Sequence, residues 1–180
     1  ETGVAPIGTT GEGASISIDD RMKLPKLFFE ASSPADRVII GTGNPSTPDG
    51  ARLSKAALEY GYVNQLVLPP FYYKSVGDDG LYDYFSYMIQ TINSENLRIY
   101  LYHFPQVSMV PISVDLVLRL KNEFGSIIAG LKDSSGDFSQ SVAFTTATGG
   151  INEDFDVYPS SEAFYFKGIQ AGCAGVISGS

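Results

Sequence analysis

Short apolar runs alternating with amphipathic stretches predict an α/β fold, specifically a (β/α)8 TIM barrel present only in part. Three observations carry that expectation. The apolar runs are continuous, as in parallel strands buried on both faces. Each is followed by a helix-like stretch, which gives seven strands and six helices in the order β then α. No linker, repeat or low-complexity segment divides the 180 residues, so 1–180 reads as one domain. A whole barrel takes about 250 residues, and at least about 200. The domain is therefore expected to be truncated at both ends.

The elements follow in chain order. Val4 to Ile7 is a strand and Ile18 to Ala31 a helix. Arg37 to Gly41 is β-branched and strand-like. Pro48 to Tyr60 is a helix, with Thr47 as N-cap and Pro48 at the first helical position. Gln65 to Leu68 is a strand halted by Pro69-Pro70, and Gly80 to Ile92 a helix. Arg98 to Phe104 is a strand halted by Pro105. Ser113 to Phe124 carries Val114, Leu116, Val117 and Leu120 near helical spacing. The run Ser126 to Lys132 is a strand, and Ser139 to Thr148 a weaker helix. A strand near Phe155 to Tyr158, a helix from Ser161 to Ala171 and a strand from Ala174 to Ser178 complete the series.

Composition narrows the functional classes. The net charge is −8 and the 12 Lys and Arg residues are scattered, which argues against nucleic-acid binding. One histidine, His103, and one cysteine, Cys173, argue against a zinc-type metal centre and exclude an internal disulfide. No apolar run reaches the roughly 18 residues of a membrane span. The opening Glu1-Thr2-Gly3-Val4 has no basic leader. A cytoplasmic protein without metal or cofactor is expected. Cys173, between small residues, reads as a buried thiol.

Lys132 is the most informative residue. It closes the apolar run Ser126-Ile127-Ile128-Ala129-Gly130-Leu131, and Asp133-Ser134-Ser135-Gly136-Asp137 follows. Taking an ammonium out of water is costly unless it is paired or deprotonated, and a neutral amine attacks ketones. The alternative is a strand-end lysine snorkelling to solvent. Parity puts Ile128, Gly130 and Lys132 on one face, with Gly130 leaving space beside the amine for substrate. An apolar barrel interior would favour the neutral amine.

Several segments together resemble one family. They are Gly8-Thr9-Thr10-Gly11-Glu12, Gly41-Thr42-Gly43-Asn44-Pro45-Ser46-Thr47, Pro70-Phe71-Tyr72-Tyr73-Lys74, Tyr102-His103-Phe104-Pro105, Gly130-Leu131-Lys132-Asp133 and Gly175-Val176-Ile177-Ser178. In order and spacing these are similar to the motifs of the dihydrodipicolinate synthase / N-acetylneuraminate lyase family. The resemblance implies a barrel running here from about the second strand to the eighth. It implies class I, Schiff-base chemistry on pyruvate or a related 2-oxo acid, and a homotetramer built as a dimer of dimers.

The resemblance also implies roles. Lys132 would be the Schiff-base amine and Tyr102 the proton shuttle. Thr9 and Thr10 would hold the 2-oxo acid carboxylate, with Thr10 also in the hydroxyl relay. Tyr72 would reach a neighbouring subunit's site, and Ile177 would offer backbone to the pyruvate pocket. By residues alone, Tyr102 could be a core aromatic, the threonines an ordinary turn, and the Tyr72 loop an aromatic interface. Glu12 reads as a loop-bracing carboxylate. His103 replaces the family's usual asparagine and, by parity, faces the helices as a satisfied buried histidine.

Val107 bears on substrate. It stands where dihydrodipicolinate synthases carry an arginine that clamps a second carboxylate, and Met109 replaces the glycine that ends the motif. An isopropyl group cannot make that bidentate bond. The expectation is an aldolase or lyase for a 2-oxo-3-deoxy acid. A synthase or a sugar-acid dehydratase using the same iminium, and a non-catalytic 2-oxo-acid-binding barrel, remain open.

Overall fold

A computed structural model describes residues 3–179. Glu1, Thr2 and Ser180, at the two ends where truncation is expected, lie outside the described residues. Five strands form one wholly parallel sheet in sequence order: β1 (Ile40–Gly41), β2 (Asn64–Val67), β3 (Arg98–His103), β4 (Ile128–Asp133) and β5 (Asp156–Pro159). The connections are helical. Before the sheet come α1 (Ile18–Arg21) and α2 (Leu24–Glu30). Then α3 (Thr47–Glu59), α4 (Asp78–Ile92), α5 (Pro105–Ser108), α6 (Val114–Phe124), α7 (Phe138–Thr148) and α8 (Tyr165–Gln170) follow in turn.

Two expected strands become irregular edge segments. Val4 to Ile7 runs beside β1 through bonds from Val4 N to Arg37 O, Ile39 N to Val4 O and Gly41 N to Pro6 O. Pro6 has no N–H, so the ladder cannot continue in both directions. At the other edge Ala174 N donates to Val157 O and Ile177 N to Pro159 O, three residues apart, where a regular ladder repeats every two. The two edges then face each other. A Cβ on Gly179 would fall 2.6 Å from Thr10 Oγ1. The series of parallel segments is thus curled into most of a barrel.

Local chemistry explains the boundaries. The helix expected from Ile18 to Ala31 is broken after Arg21, because Pro25 cannot donate to the carbonyl four residues back. Helix α3 starts one residue early, with Ser46 at the N-cap and Pro48 in the first turn. Ser113 caps α6 by accepting from Leu116 N, and Asp137 caps α7 by accepting from Ser139 N. The C-terminal helix is shorter than expected, a 3-10 turn (Glu162–Phe164) followed by α8.

Alternation along the strands sorts the core into two layers. Val67, Ile99, Leu101, Leu131 and Val157 face out and pack on Phe85 and Met88 of α4, Leu116 and Leu120 of α6 and Phe144 of α7. Each fully buried side chain of this size contributes about 1.5–3 kcal/mol. Leu66, Tyr100 and Tyr102 face in, with Leu68, Phe104, Ala129 and Tyr158 beside them. The inner layer is aromatic and carries polar atoms, so the chemistry belongs there.

Candidate active site

Lys132 lies on β4 at the inner face, in register with Tyr102 on β3 and Tyr158 on β5. It is 9% exposed. Its Nζ donates to the Tyr102 phenol at 3.3 Å and stands 4.5 Å from the centre of that ring. Tyr102 is itself held by stacking on Phe104, with centroids 5.8 Å apart. The amine and the phenol meet because two adjacent parallel strands present them at the same level.

Below this pair the structure departs from simple parity. The β3–β4 register shifts between Ile99/Tyr100, pairing Ile99 with Ile128 and then Tyr100 with Gly130. This bulge turns Ile128 into the outer core, so it does not share the lysine's face. The space left by Gly130 is not open to substrate. A Cβ there would fall 2.3 Å from Asp156 O and 2.8 Å from the Tyr100 ring. Gly130 makes room for the protein's own floor.

That floor was not anticipated from the sequence. The Tyr100 phenol donates to Asp156 Oδ2 at 3.1 Å and the Tyr158 phenol to the same oxygen at 3.4 Å. Burial and the carboxylate push Tyr158 up to about 12, and burial first, then Asp156, raises Tyr100 well above an ordinary phenol. Both hydroxyls therefore stay protonated as donors. The available signal was Asp156 and Tyr158 at alternate positions of one strand, beside the lysine's strand.

A cavity of about 500 Å³ opens beyond Tyr102, lined by Thr9, Leu66, Leu68, Phe71, Tyr102 and Val107 among others. Lys132 is not on its wall, whereas Tyr102, its hydrogen-bond partner, is. Thr9 follows Gly8 in a tight turn closed by Glu12 N to Thr9 O and Gly13 N to Gly8 O. The Thr10 side chain lies against Gly179 and makes no hydrogen bond to Tyr102 among the described residues. Ile177 has already committed its N–H to Pro159. Tyr72 is 74% exposed with its ring edge-on to Tyr73, and it is not on the cavity wall. Val107, half-exposed on α5, lines the cavity as an apolar side chain.

Two buried polar residues brace the site, Arg21 from the cavity wall and His103 from the helix side. Arg21 on α1 donates from Nη2 to Gly41 O at 3.1 Å and Gly43 O at 3.2 Å, which pins the turn after β1. Burial lowers its pKa, and its Nε is buried without a partner. His103 faces the helices. Its Nδ1 accepts from Ile112 N at 3.0 Å, and its ring is edge-on to Phe144. Among the described residues no three His, Cys, Asp or Glu come together to hold a metal ion, and no helix is long and apolar enough to cross a membrane.

Comparison with known proteins decides the family. Residues 2–180 match the pattern of the dihydrodipicolinate synthetase family. The chain belongs to that family. Among curated dihydrodipicolinate synthetase relatives, an uncharacterized DapA-like lyase of Chloroflexus aurantiacus is 33% identical over 176 residues, covering 98% of this chain and 57% of the relative. The 4-hydroxy-tetrahydrodipicolinate synthase of Fervidobacterium nodosum is 33% identical over 181 residues, covering 99% and 59%. The crystal structure of dihydrodipicolinate synthase from Agrobacterium tumefaciens superposes with a TM-score of 0.90 at 36% identity, covering 98% of this chain and 60% of that one. The chain thus spans somewhat over half the length of these relatives. The partial (β/α)8 barrel is the family's fold.

Proposed function

We propose that this protein is a carbon–carbon lyase, a pyruvate-dependent class I aldolase that cleaves a 2-oxo-3-deoxy acid through a Schiff base on Lys132. One observation carries the reading. A lysine amine, removed from solvent inside a ring of strands, lies 3.3 Å from a phenol able both to give and to take a proton.

The chemistry then follows from the two groups. The Lys132 amine adds to the C2 ketone, and loss of water leaves an iminium. Tyr102, having given its phenol proton to that departing water, takes the proton of the C4 hydroxyl as the C3–C4 bond breaks. The bonding pair flows into the iminium, giving an enamine and an aldehyde. Protonation at C3 and hydrolysis return pyruvate and the free amine. Thr9 and Thr10 would hold the 2-oxo acid carboxylate through hydroxyls and turn N–H groups. Ile177 would line that end with its backbone. Tyr72, exposed on its loop, suits contact with a second copy of the chain in a dimer of dimers.

Incubation with pyruvate and borohydride, followed by intact mass and peptide mapping, tests this. A reduced adduct on Lys132, absent from Lys132→Ala, is the expected result. No adduct on well-folded protein would overturn the reading in favour of a non-catalytic 2-oxo-acid-binding barrel. A synthase reading draws on several relatives that are 4-hydroxy-tetrahydrodipicolinate synthases. The apolar Val107 on the cavity wall weighs against it.

A further inference from the structure

Schiff-base chemistry places a positive charge on the inner face, and one strand carboxylate faces the same way. The five strands hold two acidic residues, Asp133 and Asp156. Asp133 faces the helices, where its Oδ2 accepts from Ser141 Oγ and its Oδ1 from Ser135 N. Asp156 faces in, and both floor phenols donate to its Oδ2, Tyr100 from β3 and Tyr158 from its own strand. It makes no direct ion pair among the described residues.

Register fixes its distance from the amine. Gly130 pairs with Asp156, and Lys132 pairs with Tyr158. Asp156 is therefore one strand across and two residues down from the lysine. Strand spacings of about 4.8 Å and rises of about 3.3 Å per residue put the two Cα atoms about 8 Å apart. The position below the lysine on its own strand is Gly130, and the Tyr100 ring lies over it to reach Asp156. The other groups near the pair that carry or can take charge come from β3. Tyr102 bonds the amine, and Arg98, two residues below Tyr100, spends its Nη1 on Glu95 O and Leu97 O. Arg21 and Glu12 are on the cavity wall, which Lys132 does not line.

We propose, resting on the Schiff-base reading above, that Asp156 is the counter-charge of the Lys132 iminium, held in place by Tyr100 and Tyr158. It is a positioning residue: it touches no reacting atom and acts on Lys132 by charge. The attacking amine is neutral, and the adduct it forms is a cation in a site removed from water. A fixed carboxylate in that surrounding stabilises the new charge more than it would in bulk water. It keeps the proton on the imine nitrogen, and the protonated imine is the form that accepts the C3–C4 bonding pair. Tyr102, on the opposite neighbouring strand, is left free to move protons.

The test uses pyruvate alone. Exchange of its C3 hydrogens in deuterium oxide, followed by proton NMR at saturating pyruvate, reports the iminium and enamine on Lys132. The exchange rate is expected to fall at high pD, where the imine loses its proton. Asp156→Asn and Asp156→Ser, each with its fold checked by circular dichroism, should move that alkaline limb down by about one pD unit. Tyr100→Phe removes a donor and leaves the charge, so it should move the limb by less. The Asp156→Asn shift should persist in a Tyr102→Phe background, which shows that the imine and not the phenol is the group that moves. A purely structural Asp156 would lower the rate equally at every pD. An unmoved limb in either folded Asp156 variant overturns the proposal, and so does loss of the shift in the Tyr102→Phe background. Borohydride trapping of pyruvate on Lys132 in the unaltered protein separates the two levels. An adduct together with an unmoved limb sinks the counter-charge and leaves the Schiff-base reading standing. Absence of the adduct sinks both.

Discussion

Lys132 Nζ donates to the Tyr102 phenol at 3.3 Å across adjacent parallel strands, with the ring of Tyr102 also beneath the amine at 4.5 Å from its centre. Tyr102 therefore touches the nucleophile and also lines the cavity. On the aldolase reading, Tyr102→Phe keeps the stacking on Phe104 and removes the proton carrier. Turnover should fall about 100-fold or more, while pyruvate can still be trapped on Lys132 over longer times. Steady-state kinetics beside borohydride trapping measure both. Undiminished kcat would remove Tyr102 from the chemistry.

Gly130→Ala should destabilise the protein. Its Cβ would press on Asp156 O at 2.3 Å and the Tyr100 ring at 2.8 Å, and neither the strand backbone nor a ring wedged in the floor yields easily. The cost is expected at about 1–3 kcal/mol, read as a lower urea midpoint. A variant as stable as the parent would show that the floor adapts.

Met109 sits at φ 56°, in the left-handed region, just past the end of α5, and its side chain is exposed. Glycine is free of the steric cost of that conformation. Met109→Gly is expected to raise stability by up to about 1 kcal/mol, seen as a higher Tm. A lower Tm would mean that the methionine packs where it is not expected to.

His103 supplies a pH dependence. Burial holds its imidazole below the ordinary 6.5, against the opposing pull of Asp133. The unfolded chain thus takes up the proton more readily than the folded one. The stability from neutral His103 is present above about 6.5 and is lost as pH falls from there through the lower folded value. Protonation at Nδ1 would also cost the bond from Ile112 N. Urea midpoints should drop between pH 7.5 and pH 5, and His103→Gln should flatten that drop. An identical slope in the variant would place the dependence elsewhere.

Much of this molecule was legible along the chain because the signals are local. The β then α alternation and the stops at Pro69 and Pro105 each depend on a few neighbouring residues, whereas the N-cap expected at Thr47 falls one residue earlier, at Ser46. The inward direction of Tyr102 and the outward direction of His103 followed from parity. Parity failed at Ile128, where the bulge inserts one residue, and it could not show that Tyr100 and Asp156 occupy the space beside Gly130. The break between α1 and α2 was also readable, since Pro25 was in plain view. The thin edges at Val4–Ile7 and Ala174–Ser178 were not, because a strand is defined by the partner it finds.

The amino-acid order by itself determined that a lysine ends a buried strand and that a tyrosine ends the one before it. These are statements about composition and period, and each holds within one segment; the bearing of Val107 on substrate came from the resemblance to the family's motifs. The tertiary structure decided that the amine meets that phenol, that two further phenols share one oxygen of Asp156 beneath them, and that Val107 joins Leu66 and Phe71 on one wall. Such meetings depend on register between strands more than 25 residues apart in sequence, and register is set by the pairing of whole strands and not by any stretch of chain alone.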